Sequence, residues 1–213
     1  MPSTLVHVAI GGLVGAALLT TDFDARAVAV VLAATAVPDL DAFAGIVLPG
    51  AHRSLLHGFL FPAVVGLLLW VDTVRPASML RGRFGDRGVR VAWVSLAAMV
   101  FGGILPDLFT NGVNVFYPVV DAFYTVDGRL LLSDQRGLVQ TFVELQPPEP
   151  SRQSTPQPST KTVHYSTPVD PSPGKEPKDV ERIAPVIQAG WELMLVLVST
   201  AVVSFRLWDA RRR

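Results

Sequence analysis

The chain has 213 residues, half of them hydrophobic and 17% charged, with no formal net charge at neutral pH and a mean hydropathy of +0.41. That composition belongs to an integral membrane protein, and the absence of a net positive field argues against nucleic acid as a partner. No cysteine is present, which excludes disulfides, thiolate metal sites and cysteine nucleophiles and leaves His, Asp and Glu as the strong metal ligands.

Five apolar stretches follow in chain order, at about 4–20, 26–48, 54–73, 90–112 and 184–207, each near the roughly 20 residues that a helix needs to cross ~30 Å of hydrocarbon. The expected fold is an all-α integral membrane protein with about five transmembrane helices. The first stretch lacks a basic start and runs into Asp22 and Asp24, so it reads as a retained helix, not a signal peptide. Its Gly11 and Gly15 form a small-xxx-small pair that admits a close neighbour. Ser54 is placed to cap the third helix, with Arg53 one turn before His57. Arg75, Arg81, Arg83, Arg87 and Arg90 crowd the connection to the fourth helix, and Arg206, Arg211, Arg212 and Arg213 follow the fifth. Both clusters should be cytoplasmic, which puts the N-terminus and the loop at 49–51 outside the cell membrane.

Residues 1–112 thus read as a four-helix membrane domain, and 113–146 as an external segment. There, Asp127-Gly128 between two apolar runs predicts a type I′ hairpin. Residues 147–183 are rich in Pro, Ser and Thr and read as a disordered external linker, with His164 solvated inside it. Residues 184–213 supply the fifth helix and a basic tail.

Ionisable groups at membrane depth are costly and mark function. At 1.5 Å per residue, His7 lies ~5 Å into the first helix, Asp39 ~20 Å along the second, His57 ~5 Å into the third and Asp107 ~25 Å along the fourth. Alternate helices run in opposite directions, so all four fall in the same third of the membrane. Pro38 precedes Asp39 and Pro106 precedes Asp107, and backbone breaks at such depth line polar cavities. His52 and His57 converge from loop and helix. Together His7, Asp39, Asp41, His52, His57 and Asp107 form an expected divalent-metal site, zinc first and manganese second. Asp41, His57 and Arg53 are the expected catalytic residues, Arg53 as an anion clamp or a partner to a ligand. Glu192, one turn after Gln188, reads as half of a buried hydrogen-bonded pair. The reaction this site suits is hydrolysis by metal-activated water, on a phosphoester or lipid-like substrate. A metal or proton transporter and a non-enzymatic membrane scaffold are the alternatives.

An early His7, then "PDLD" at 38–41, "HRSLLHG" at 52–58 and "GGILPDLFTNGVNVFYP" at 102–118 resemble the membrane-bound metal-dependent hydrolase family, also described as LexA-binding, inner-membrane-associated hydrolases. The resemblance covers about residues 1–118. It implies a helical membrane fold and divalent-metal hydrolysis, with His7, Asp39, Asp41, His52, His57 and Asp107 at the matching positions. A more distant similarity, to zinc-dependent phospholipases C and related nucleases, implies phosphoester substrates. One position departs from the family: its last aspartate belongs to an HxxxD element, and Gly103 stands here where the histidine would be. The resemblance therefore implies one missing nitrogen ligand, with two alternatives: compensation by Gln188 or Glu192 from the fifth helix, or a degenerate member that binds metal poorly.

Overall fold

A computed structural model describes residues 2–48, 50–142, 157–165, 167–169 and 184–212. Its helices are α1 (Thr4–Leu18), α2 (Ala25–Ala36), α3 (Asp41–Ala44), α4 (Leu60–Val74), α5 (Met79–Ala98), α6 (Leu105–Leu108) and α7 (Gly190–Ala210), and its strands are β1 (Leu130–Ser133) and β2 (Gly137–Gln140). Helix α1 sits at the centre, packed against α2, α5 and α7. The apolar core lies toward its C-terminal end, where Ala16, Leu19, Phe23, Ala27, Val28, Val31, Val94 and Ala98 are buried together. Small residues set the spacing, as expected from the glycine pair. A Cβ on Gly11 would fall 2.2 Å from Thr35 Oγ1, and Ser199 Oγ of α7 donates to the Ala9 carbonyl at 2.6 Å, a cross-helix bond of the kind that holds membrane bundles.

The number of spans differs from the expected five. Residues Met79–Leu108 and Gly190–Ala210 form two helices long and apolar enough to cross, and Ala25–Ala36 with Pro38–Ala44 makes a third if that pair, bent by 44°, is one span. Helices α1 and α4 have 15 residues each, about 22 Å of rise against ~30 Å of hydrocarbon. The discrepancy has local causes. Pro38, with no N–H to donate, ends α2. Residues 54–59, expected as the start of the third helix, are wound into turns, so α4 begins only at Leu60. In the opposite sense, α5 starts earlier than expected and carries Arg81, Arg83, Arg87 and Arg90 on a helix kinked at Gly85, not in a loop.

Two of those arginines, Arg87 and Arg90, join Arg206 of α7 in tying one end of the bundle. Asp24 caps α2 by accepting from Ala27 N at 2.8 Å and pairs with Arg87; the Ala27 amide and that guanidinium hold its carboxyl below the usual range. Arg90 Nε meets Asp22 at 3.1 Å. Arg206 donates to the carbonyls of Ala16 at 2.8 Å and Thr20 at 3.0 Å, satisfying the free C-terminal carbonyls of α1.

The hairpin forms, but not around Asp127-Gly128. Leu130 pairs with Gln140 and Ser133 with Gly137, so the turn is Asp134–Arg136. Val126 N donates to the Leu108 carbonyl at 2.9 Å, which ties that stretch back to α6. Ser133 Oγ accepts from the amides of Gln135 and Arg136, and Gly137 takes φ +67°. Of the expected linker, residues 147–156, 166 and 170–183 lie outside the described residues. Residues 157–165 are not a free tether: they pack on the loops of the bundle, and His164 is half-buried, not solvated.

Candidate metal centre

The polar site lies at the end of α1 opposite the arginines. His7 projects from the start of α1 and is buried. Asp39 comes from a short 3-10 turn, Pro38–Leu40, and Asp41 opens the one-turn helix α3. Asp107 sits in α6, reached through a π-helical stretch, Met99–Ile104. Such insertions shift the phase of a helix and cluster at functional sites.

The loop from Ala51 to Phe59 is organised by one carboxylate. Asp41 Oδ2 accepts from the amides of Arg53 at 3.1 Å and Leu56 at 3.3 Å and from His57 Nδ1 at 2.9 Å, while Oδ1 accepts from His52 Nδ1 at 2.8 Å. Ser54 does not cap a helix; its hydroxyl donates to the Gly50 carbonyl at 2.9 Å. Arg53 and His57 therefore do not share a helical face. Arg53 has φ +64°, a conformation costly for a side chain of its size. It is held there by its amide on Asp41 and by Asn114 N donating to its carbonyl at 2.9 Å.

Two distance classes separate the polar residues. The contacts of Asp41 with His52 and His57 are ordinary hydrogen bonds, as is Arg53 Nη2 to Asp107 Oδ1 at 2.7 Å. The others are longer: His7 Nδ1 to Asp39 Oδ2 is 3.3 Å, His7 Nε2 to Asp107 Oδ1 is 3.6 Å, and His57 Nε2 lies 3.4 Å from Asp39 Oδ1 and 3.3 Å from Asp107 Oδ2. Four ligand atoms placed tetrahedrally at about 2.1 Å from an ion lie about 3.4 Å from one another. Among the described residues His7 Nε2 and His57 Nε2 are both buried with no hydrogen-bond partner, although buried polar atoms almost always find one. Two orphaned imidazole nitrogens facing two carboxylates fit a divalent cation.

The six residues expected as ligands are thus brought together, in two groups. Asp41, His52 and His57 form one, and His7, Asp39 and Asp107 the other, with the donor atoms of each within 4.8 Å of one another. His57 joins the groups, giving Nδ1 to Asp41 and Nε2 to Asp39 and Asp107. In the first group the Asp41 oxygens are already taken by hydrogen bonds; in the second, Arg53 holds Asp107 Oδ1 and His7 Nδ1 meets Asp39 Oδ2, while His7 Nε2 and His57 Nε2 face the carboxylates without a hydrogen bond among the described residues.

Position 103 has no room for a histidine. A Cβ there would fall 2.5 Å from the Thr35 carbonyl oxygen and 3.1 Å from Pro38. The close approach of α2 to the π-helical stretch replaces a side chain at this point, and nitrogen donors come from His7 and His57. Glu192 is not the substitute either. It is buried, and its Oε2 accepts from the Gln188 amide at 2.7 Å, so the expected pairing with Gln188 is present through the backbone.

Three neighbours carry no signal of chemistry in the sequence. Tyr165 lies over Arg53, with the guanidinium carbon 4.6 Å from the ring centroid, and donates its hydroxyl to the Asn111 carbonyl at 2.6 Å. Asn114 links Arg53 to Asp121. Asn111 and Asn114 fall inside the "TNGVNVFYP" string, whereas Tyr165 lies in a stretch whose composition reads as linker.

No curated protein and no solved structure matches the chain. A family model does, that of the YdjM inner membrane protein, over residues 1–209. The match runs from the start of α1 nearly to the end of α7 and so takes in every helix around the site. Its description places the protein in the inner membrane and carries neither hydrolysis nor LexA binding. On that coverage the chain belongs to the YdjM inner membrane protein family.

Proposed function

We propose that this inner-membrane protein is a divalent-metal-dependent hydrolase acting on a phosphoester or lipid-like substrate. His7, Asp39, His57 and Asp107 hold the ion, zinc first and manganese second by the mixture of imidazole and carboxylate. The observation that carries this reading is the pair of buried, unpartnered Nε2 atoms set 3.3–3.6 Å from the carboxylates of Asp39 and Asp107. When bound, such an ion supplies Lewis acidity and brings water within reach of deprotonation near neutral pH.

Asp41 then serves by orientation. By accepting from His57 Nδ1 it fixes the tautomer that leaves Nε2 as a lone-pair donor, the carboxylate–histidine arrangement common behind metal ligands. His52 braces the same carboxylate from the other side. This assignment favours one ion over two, because a second ion between Asp41, His52 and His57 would displace hydrogen bonds of 2.8 and 2.9 Å. Arg53 steadies Asp107 through Nη2.

The orientation follows from α1. Its N-terminal end carries His7, and its C-terminal end is tied by Arg206. With the arginine end in the cytoplasm, the site opens toward the outer face, and the C-terminus is inside.

The test is turnover of a chromogenic phosphodiester by detergent-purified protein, with and without chelator. Chelator-sensitive hydrolysis that returns with zinc or manganese, and that His57→Ala abolishes without changing helical content, supports the reading. Turnover indifferent to chelator and to His57→Ala contradicts it.

A further inference from the structure

Arg53 is 1% exposed, and its Nη2 donates to Asp107 Oδ1 at 2.7 Å. Its Nε and Nη1 are buried without a partner. A guanidinium carries five N–H donors and no acceptor, and leaving buried charged donors unpaired is unfavourable. The Arg53 guanidinium carbon lies 4.6 Å over the Tyr165 ring, and a cation held over a ring still lacks an acceptor oxygen for Nε and Nη1. The backbone at Arg53, φ +64°, brings the guanidinium to Asp107 Oδ1, while the other oxygen of that carboxylate faces His57 Nε2.

We propose that Arg53 is an oxyanion subsite, taking oxygens of a phosphate group through Nε and Nη1, with Tyr165 as its roof. The proposal rests on the metal-dependent reading of the neighbouring donors and adds to it the part of the substrate recognised. Guanidinium geometry matches phosphate oxygens, and hydrogen bonds between two charged partners are about twice as strong as neutral ones.

The roof is built, not incidental. Residues 157–165 are latched to the loops around the site by Thr160, whose amide and hydroxyl donate to Asp121 at 2.9 and 2.7 Å. Pro158 accepts from Phe123 N at 2.8 Å, and Gln157 donates to the Phe123 carbonyl at 2.7 Å. Gly50, at φ +75°, lets the strap pass, since a Cβ there would lie 2.3 Å from the Thr160 carbonyl. Asn114 joins latch to subsite: its amide donates to Arg53 O, and its side chain donates to Asp121 at 2.7 Å.

The experiment is calorimetric titration of inorganic phosphate into detergent-purified, chelator-treated protein, wild type beside Arg53→Met, with zinc content after reloading measured on the same samples. Expected is phosphate binding by the wild type, weakened about tenfold or more in Arg53→Met. No phosphate binding, or equal binding by both proteins, overturns the subsite. Zinc uptake separates the two readings: Arg53-dependent phosphate binding in a protein that takes up no zinc leaves the subsite standing and removes the hydrolase. Should Arg53→Met not fold, Tyr165→Ala keeps the guanidinium and opens its roof, so faster phosphate association is expected and an unchanged rate counts against the proposal. Competition names the source of the phosphate. Displacement by short-chain phosphatidic acid points to a lipid headgroup and displacement by glycerol phosphate to a soluble ester; displacement by neither overturns the proposal.

Discussion

The two ends of α1 use charge in opposite ways. At the C-terminal end three arginines meet carboxylates or carbonyls at the rim of the bundle: Arg206 on Ala16 and Thr20, Arg90 on Asp22, Arg87 on Asp24. At the N-terminal end the charges are buried, and four of their nitrogens have no hydrogen-bond partner among the described residues: His7 Nε2, His57 Nε2, and Nε and Nη1 of Arg53. Satisfied, half-exposed pairs add to stability. Buried, unsatisfied donors are tolerated where a ligand completes them.

The largest effect expected from breaking this contrast is at Asp107. Replacing it with Ala leaves Arg53 buried without its counter-charge, a loss of the order of 3–5 kcal/mol, and removes a proposed ligand. Denaturant unfolding in detergent should show the loss, and zinc should no longer raise the stability of the variant. Smaller is the effect of Asp41→Asn, which keeps the shape but weakens the hold on His57 Nδ1. Metal affinity by competitive titration should drop about 10–100-fold while the protein stays folded; an unchanged affinity would mean that Asp41 does not set the tautomer of His57. Least is Arg87→Ala at the opposite end. Arg87 and Asp24 are both about half exposed, so unfolding should shift by no more than about 1 kcal/mol. The Asp24 carboxyl is held low, so its share of stability is complete above about pH 4 and fades as pH falls through the lowered value. The variant should flatten that acid limb without touching metal binding.

Much of the site was legible in the sequence, because depth along a helix converts directly into position. His7, Asp39, His57 and Asp107 were expected at one membrane level, and the fold sets each imidazole 3.3–3.6 Å from both carboxylates. What depth does not show is partition. Asp39 and Asp41 are two residues apart in one break, yet a 3-10 turn followed by α3 turns one toward His7 and the other toward the 51–59 loop. Hydropathy counted apolar residues 54–59 as helix, although the Asp41 carboxylate draws their amides into turns. The same bias inflated the number of spans. Gly103 read as a missing ligand until its packing on Thr35 was visible. Tyr165 left no trace, since nothing in a Pro/Ser/Thr-rich stretch announces a contact with a residue 112 positions earlier.

The most direct test is stoichiometry: elemental analysis of detergent-purified wild type beside the Asp39→Ala, His57→Ala double variant, both dialysed against trace zinc and manganese. One equivalent of ion in the wild type and none in a folded double variant is the predicted result. Equal content in the two, or none above background in the wild type, would contradict a metal centre at His7, Asp39, His57 and Asp107.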